Sequence, residues 1–129
     1  MWKIYERPKR EYRKNVYAAI NINKGGMFLN RLACELIGMG ATKENSIRFF
    51  LFHYDPDDRN RYGFRVLLNT QKYTKNLYKV KYRDENKTAK INAKKFIITH
   101  DLLKRAQKLE ETTFPLIKEG EDFFYFELK

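Results

Sequence analysis

A single α+β domain is the fold class this sequence predicts, its sheet mainly antiparallel or closed into a small barrel and accompanied by two short helices. Three observations lead there. Short apolar runs repeat with a period of two, as in Val16–Ile22 and Tyr78–Arg83, the signature of strands packed on one face. Turn residues such as Gly25-Gly26, Asp55-Pro56 and Gly120 separate neighbouring runs, so consecutive strands fold back on one another. Only two stretches, near 30–38 and 100–110, carry apolar residues at helical spacing. With 129 residues, 43% of them hydrophobic, the chain can bury one core and is too short for two ordinary domains. Residues 15–129 are read as that domain and residues 1–14 as a basic arm.

The arm sets Lys3, Arg7, Lys9, Arg10, Arg13 and Lys14 against Glu6 and Glu11, with Trp2, Tyr5 and Tyr12 interleaved. So charged a segment buries too little surface to offset its ordering entropy, and it is expected to be mobile. In the first strand, Val16, Ala18, Ile20 and Ile22 fall on one face. The following stretch from Lys24 to Leu29 looks like a glycine-rich phosphate loop, yet it has neither the Gly-x4-Gly-Lys-Ser/Thr nor the Gly-x-Gly-x-x-Gly spacing. Gly25 and Gly26 therefore turn the chain into a short strand, and Asn30 caps a helix to about Gly38. In that helix Leu32, Ala33, Leu36 and Ile37 make the apolar stripe, Cys34 is a small buried side chain rather than a nucleophile, and Gly38 and Gly40 supply the stop.

Ile47–Tyr54 is apolar on both faces, as a central strand would be, and leads through 55–63 into the strand 64–69, a long-looped hairpin. Asp55, Asp57 and Asp58 lack the closing glutamate of a calcium loop and read as turn chemistry around Pro56. The clearest pattern follows. Tyr78, Val80 and Tyr82 alternate with Lys79, Lys81 and Arg83, giving one packed face and one cationic face. Residues 84–87 turn, Thr88–Ile91 returns, and Asn92 caps a short helical stretch through Ile98. Thr99 then caps a helix whose stripe is Leu102, Leu103, Ala106 and Leu109, with Lys104, Arg105 and Lys108 facing solvent. Residues 114–117 and 123–128 form a last hairpin. The stretches 19–38 and 80–99 share an order of strand, turn, short strand, apolar-Asn and helix, which points to two loosely repeated halves.

Lys and Arg number 27 against 16 acidic residues, a net charge of +11, which persists in small domains where a polyanion or acidic partner uses it. The cationic charge concentrates in the arm and in residues 72–95, while the C-terminal end is acidic. The candidate nucleic-acid contacts are Arg10, Arg13, Lys14, Lys75, Lys79, Lys81, Arg83, Lys87 and Lys90 for phosphates and Tyr73 for stacking. Between Asn30 and Gly38, Arg31 alone is basic, so that helix reads as a packing helix and nothing specifies a sequence-reading one. His53 and His100 are the only histidines, and neither a nucleophile elbow nor an HExxH motif occurs. The expectation is a protein that is not an enzyme, with no metal and no cofactor. A single cysteine excludes an internal disulfide framework, the charged N-terminus has no secretory core, and no run approaches a membrane span. These features point to an intracellular setting, cytoplasm or nucleoid, or to a virion, with nucleic acid as partner, DNA ahead of RNA, and no membrane. A phage-type virion component, or an inhibitor docking on an acidic host protein, is the alternative, and homo-oligomerisation stays open.

The stretch Lys24–Leu68 resembles the swapped-hairpin transcription regulators of the AbrB type. Lys24, Gly25, Met27 and Leu29 fall on that family's Lys-Gly-x-Ile-x-Ile line, and Ile37-Gly38-Met39 on its Leu-Gly-Leu. Asn30 stands where the family has proline, and Cys34 where its helix carries arginine. The resemblance implies a DNA-binding β-barrel built from two hairpin-helix halves, which this chain would supply from its own two halves.

Overall fold

The computed structural model describes residues 2–4, 17–39, 48–68 and 76–128. Of the arm it describes Trp2, Lys3 and Ile4, all exposed, so the expected mobility of residues 1–14 lies outside the described residues. Along the chain come β1 (Ala19–Asn23), β2 (Gly26–Leu29), α1 (Arg31–Ile37), β3 (Arg48–Asp55), β4 (Asp58–Leu68), β5 (Leu77–Arg83) and β6 (Thr88–Ile91). Then follow α2 (Lys94–Thr99), α3 (Leu102–Lys108), β7 (Thr113–Pro115), β8 (Ile117–Lys118) and β9 (Phe123–Glu127). All nine strands join one antiparallel sheet in the order β7-β1-β2-β6-β5-β3-β4-β9-β8, and its curl brings β7 against β9, so that the sheet nearly closes into a barrel.

The period-two alternation places one set of side chains inside this curl. Ile20, Ile22, Met27, Leu29, Val80 and Ile91 fill one side, and Phe50, Phe64, Phe114, Phe124 and Phe126 the other, all fully buried. The rings of Phe50 and Phe64 stack with centroids 4.0 Å apart. β3 is central, as its two apolar faces predict, paired with β4 on one side and β5 on the other.

Asn30 does more than cap. Its side-chain oxygen accepts from Ala33 N at 2.8 Å, the N-cap bond, and also from Ala19 N at 3.0 Å, while its amide donates to Tyr17 O at 3.0 Å. One side chain thus fixes the start of α1 to the start of β1. Lys24-Gly25 is a two-residue turn, since Asn23 pairs with Gly26. Gly26 has φ +132°, and a Cβ there would lie 2.4 Å from the carbonyl oxygen of Ile91. Glycine is required because β6 runs against it. Gly38 ends α1 in the left-handed region at φ +88°, donating to the carbonyls of Cys34 and Glu35.

The structure corrects five expectations. The β3–β4 hairpin is closed by Pro56-Asp57 alone, with Asp55 opposite Asp58, because the polar residues 58–61 continue the ladder instead of looping. The aspartates shape that tip: Asp55 accepts from Asp57 N at 2.9 Å and Asp58 from Asn60 N at 3.0 Å. The described residues form three helices, since Asp101 turns left-handed at φ +52° and separates α2 from α3. Ala93 and Asp101 hold the N-cap positions expected of Asn92 and Thr99, and neither makes a side-chain cap bond. Leu109 is 44% exposed, not part of the buried stripe. Finally, the C-terminal run divides at Leu116, with β7 pairing with β1 and only β8 returning on β9.

The two halves do repeat in three dimensions. β2 pairs with β6 through Met27↔Ile91, Phe28↔Lys90 and Leu29↔Ala89. Aligning Leu29-Asn30 with Ile91-Asn92 exchanges the first and third pairs and leaves the middle one in place, so a local two-fold axis passes between Phe28 and Lys90. Each hairpin is bordered by a strand from the other half, β3 beside β5 and β7 beside β1. The halves are interleaved rather than stacked.

Candidate nucleic-acid interface

Of the expected contact residues, Arg10, Arg13, Lys14, Tyr73 and Lys75 lie outside the described residues. The other five come together. On β5, Lys79, Lys81 and Arg83 are exposed while Val80 is buried and Tyr78 and Tyr82 pack against the core, the alternation read from the sequence. Successive outward residues on one strand stand roughly 6.6 Å apart. Lys90 on β6 pairs with Lys81, and Lys87 stands exposed in the turn between the strands. The turn also carries Asp84 and Glu85, so five cations face two carboxylates.

These cations are available to a ligand. Among the described residues the ion pairs are Arg31–Glu35, Arg61–Glu127 and Arg65–Asp122, and none involves Lys79, Lys81, Arg83, Lys87 or Lys90. The arginines of β4 differ. Arg61 and Arg65 are matched by the acidic β8–β9 end at 3.6 and 3.7 Å, and Arg61 also lies over the Tyr125 ring at 4.6 Å. Charge alone therefore does not distinguish β5–β6 from β4; unpaired charge does.

An aromatic member escaped the sequence reading. Phe28, partly exposed on β2, sits opposite Lys90, whose ammonium lies 5.5 Å from the ring centre. Across the sheet the outward row reads Asn21, Phe28, Lys90, Lys81, from β1 to β5. The local two-fold sharpens the contrast. Because Ile20 pairs with Leu29 as Val80 pairs with Ile91, Ala19, Asn21, Asn23 and Phe28 occupy the positions of Lys79, Lys81, Arg83 and Lys90. One half of the interleaved pair is cationic and the other neutral, joined at an exposed ring. The periodicity of β2 gave Phe28 an outward direction, but only the β2–β6 pairing gave it a cationic neighbour.

The histidines serve packing. His53 Nδ1 lies 2.9 Å from Leu51 O, and its ring meets Phe123 edge-on at 5.2 Å. His100 is held among Tyr54, Tyr62 and Phe96, with ring centroids 4.8 to 5.3 Å away. Burial first, and the Arg105 guanidinium second, hold its imidazole below the usual value. Among the described residues no group of three or more His, Cys, Asp or Glu side chains is arranged to hold a metal ion, and no helix is long and apolar enough to cross a membrane. Arg105, expected to face solvent, is instead anchored, donating to Tyr62 Oη at 2.5 Å, Arg59 O at 2.7 Å and Asn60 Oδ1 at 2.8 Å. No protein-family model, no curated protein and no solved structure matches the chain.

Proposed function

We propose that this is a non-enzymatic nucleic-acid-binding protein that tracks phosphates along the outward face of β5 and β6. The observation that carries the reading is the set Lys79, Lys81, Arg83 and Lys87, all exposed, with the partly exposed Lys90, on one face and in no ion pair among the described residues, beside the Phe28 ring. Cations in a row with an adjacent ring are what backbone tracking and base stacking require. The preference for DNA over RNA draws on the resemblance of residues 24–68 to swapped-hairpin regulators, together with the interleaving of the two hairpin-helix halves. No helix or loop in the described residues offers base-reading side chains as a set, so affinity without strong sequence preference is expected.

The test is a titration of random-sequence DNA and RNA, single- and double-stranded, over a range of salt. Each phosphate neutralised contributes about −0.9 on duplex or −0.7 on single strands to the slope of log affinity against log salt. Changing Lys79, Lys81 and Arg83 together to Gln should flatten the slope by roughly two to three on duplex and weaken all sequences alike. Unchanged binding would remove this face from the account. A second reading, docking on an acidic protein as a virion component or inhibitor, is favoured by the exposure of Trp2 and Ile4, 101% and 93%, apolar side chains with no packing partner on the described fold. Absence of any nucleic-acid affinity at low salt, with retention of an acidic protein, would select it.

A further inference from the structure

A second cationic feature lies away from the β5–β6 face. Between the tip of the β3–β4 hairpin and α3 runs a cleft of about 520 Å³, lined by Arg59, Tyr62, His100, Lys104, Arg105 and Lys108, together with Asn60, Thr99 and Asp101. Four cations meet one carboxylate there. Arg59, Lys104 and Lys108 are exposed and make no ion pair with a described residue. Lys104 and Lys108 stand one helical turn apart on α3, a spacing at which like charges repel. The hydrophobic stripe of α3 does not need a lysine at either position.

Arg105 is the fixed element. Its guanidinium has five N–H donors, three of them committed to Tyr62 Oη, Arg59 O and Asn60 Oδ1, which holds the fork in place and leaves two donors without a partner among the described residues. Two of those acceptors come from the hairpin tip, so the same bonds set the distance between the cleft's walls. A positioned guanidinium flanked by exposed lysines is the arrangement that recognises phosphate oxygens. The partly exposed His100 ring, backed by the buried Tyr62, adds a surface for a ring, and the volume is within the ordinary range for small-molecule sites, about 300 to 1,000 Å³.

We propose that this cleft binds a phosphate ester, with Arg105 as the fixed anchor, Lys104, Lys108 and Arg59 closing on the remaining oxygens, and the attached nucleoside lying against His100. The phosphate belongs either to a free mononucleotide or to the backbone of a bound strand. The proposal stands on residues separate from the β5–β6 face and does not depend on it.

The test uses the full-length protein and calorimetry at low salt, with a nucleoside monophosphate and, separately, a short single-stranded oligonucleotide as probes. Inorganic phosphate serves as the competitor. The comparison is with the double variant Lys104→Gln/Lys108→Gln, whose side chains are exposed, and with the triple Gln variant of β5 as control. A free-nucleotide site gives saturable mononucleotide binding at one equivalent, weakened tenfold or more in the α3 variant and untouched in the β5 variant. A strand-backbone site gives weak mononucleotide binding but a tenfold or greater loss of oligonucleotide affinity in the α3 variant, adding to the loss in the β5 variant. If the α3 variant binds both probes as the wild type does, or the wild type binds neither, the cleft is not a phosphate site.

Discussion

Phe28 and Lys90 face each other across the β2–β6 ladder, on the axis that relates the two hairpin-helix halves, with the ammonium 5.5 Å from the ring centre. Every other outward pair in this part of the sheet has a counterpart in the opposite half. This pair is its own counterpart, and it joins an aromatic residue from the neutral half to a cation from the charged half. Among the described residues it is the place on the proposed interface where a base and its phosphate would be met side by side.

Phe28→Ala should therefore weaken single-stranded binding by about 1–3 kcal/mol, the range for losing one stacked base, while leaving the salt slope unchanged. Lys90→Gln should do the reverse, reducing the single-strand slope by about 0.7 with a modest loss of affinity. Duplex binding, whose bases are already stacked, should respond to Lys90→Gln alone. Equal effects of Phe28→Ala on slope and affinity would refute the separation of roles.

Asn30→Ala removes the cap of α1 and both tethers to the β1 end. Cap loss is worth about 1–2 kcal/mol, and each further hydrogen bond roughly 1 kcal/mol. Urea denaturation should show a loss of at least about 2 kcal/mol. Asn30→Asp, which keeps the accepting oxygen but cannot donate to Tyr17 O, should fall between Ala and wild type.

Gly26→Ala should destabilise by roughly 1–3 kcal/mol, since it sets a side chain at φ +132° and drives its Cβ to within 2.4 Å of Ile91 O. Gly25→Ala should be milder, because the nearest atom to a Cβ there is the Asn23 side chain at 3.3 Å. If thermal melts rank the two variants in the opposite order, the β2–β6 contact is not as close as described.

The thiol of Cys34 is pushed up to about 12, by burial first and by the neighbouring Glu35 carboxylate second. At neutral pH it should resist thiol reagents in the folded protein and react fully in denaturant. Rapid labelling of the native protein would contradict its place in the core.

His100, held below its ordinary value of 6.5 by burial and then by Arg105, links stability to pH. The unfolded chain takes up the proton first. The contribution is thus fully present above pH 6.5 and is lost as the pH falls below that value, until the folded imidazole itself titrates. A His100→Gln variant should lack this part of the pH dependence in melting experiments, and an identical profile for both proteins would exclude it.

Local rules were enough to read much of this protein. Alternation in residues 78–83 fixed which side chains of β5 turn outward, because a pleat admits only two directions, and Asn30 declared itself a cap through its side-chain chemistry and position. The repeat was visible in Leu29-Asn30 and Ile91-Asn92, since each pair ends a strand and leads into a helix. What stayed hidden depended on partners distant in the chain. The run 58–61 looked like a loop because its residues are polar, yet it continues the β4 ladder beyond the core, where polar side chains lose nothing. Arg105 looked like a solvated lysine-type position, and only the approach of the β3–β4 tip gave its guanidinium three acceptors more than 40 residues away. The sequence by itself determined the outward face of β5, the cap at Asn30 and the net charge, because these follow from spacing and side-chain chemistry within a few residues. The tertiary structure decided which cations are matched by acids, which ring lies beside them and where α3 meets the hairpin, because those depend on how strands from the two halves interleave.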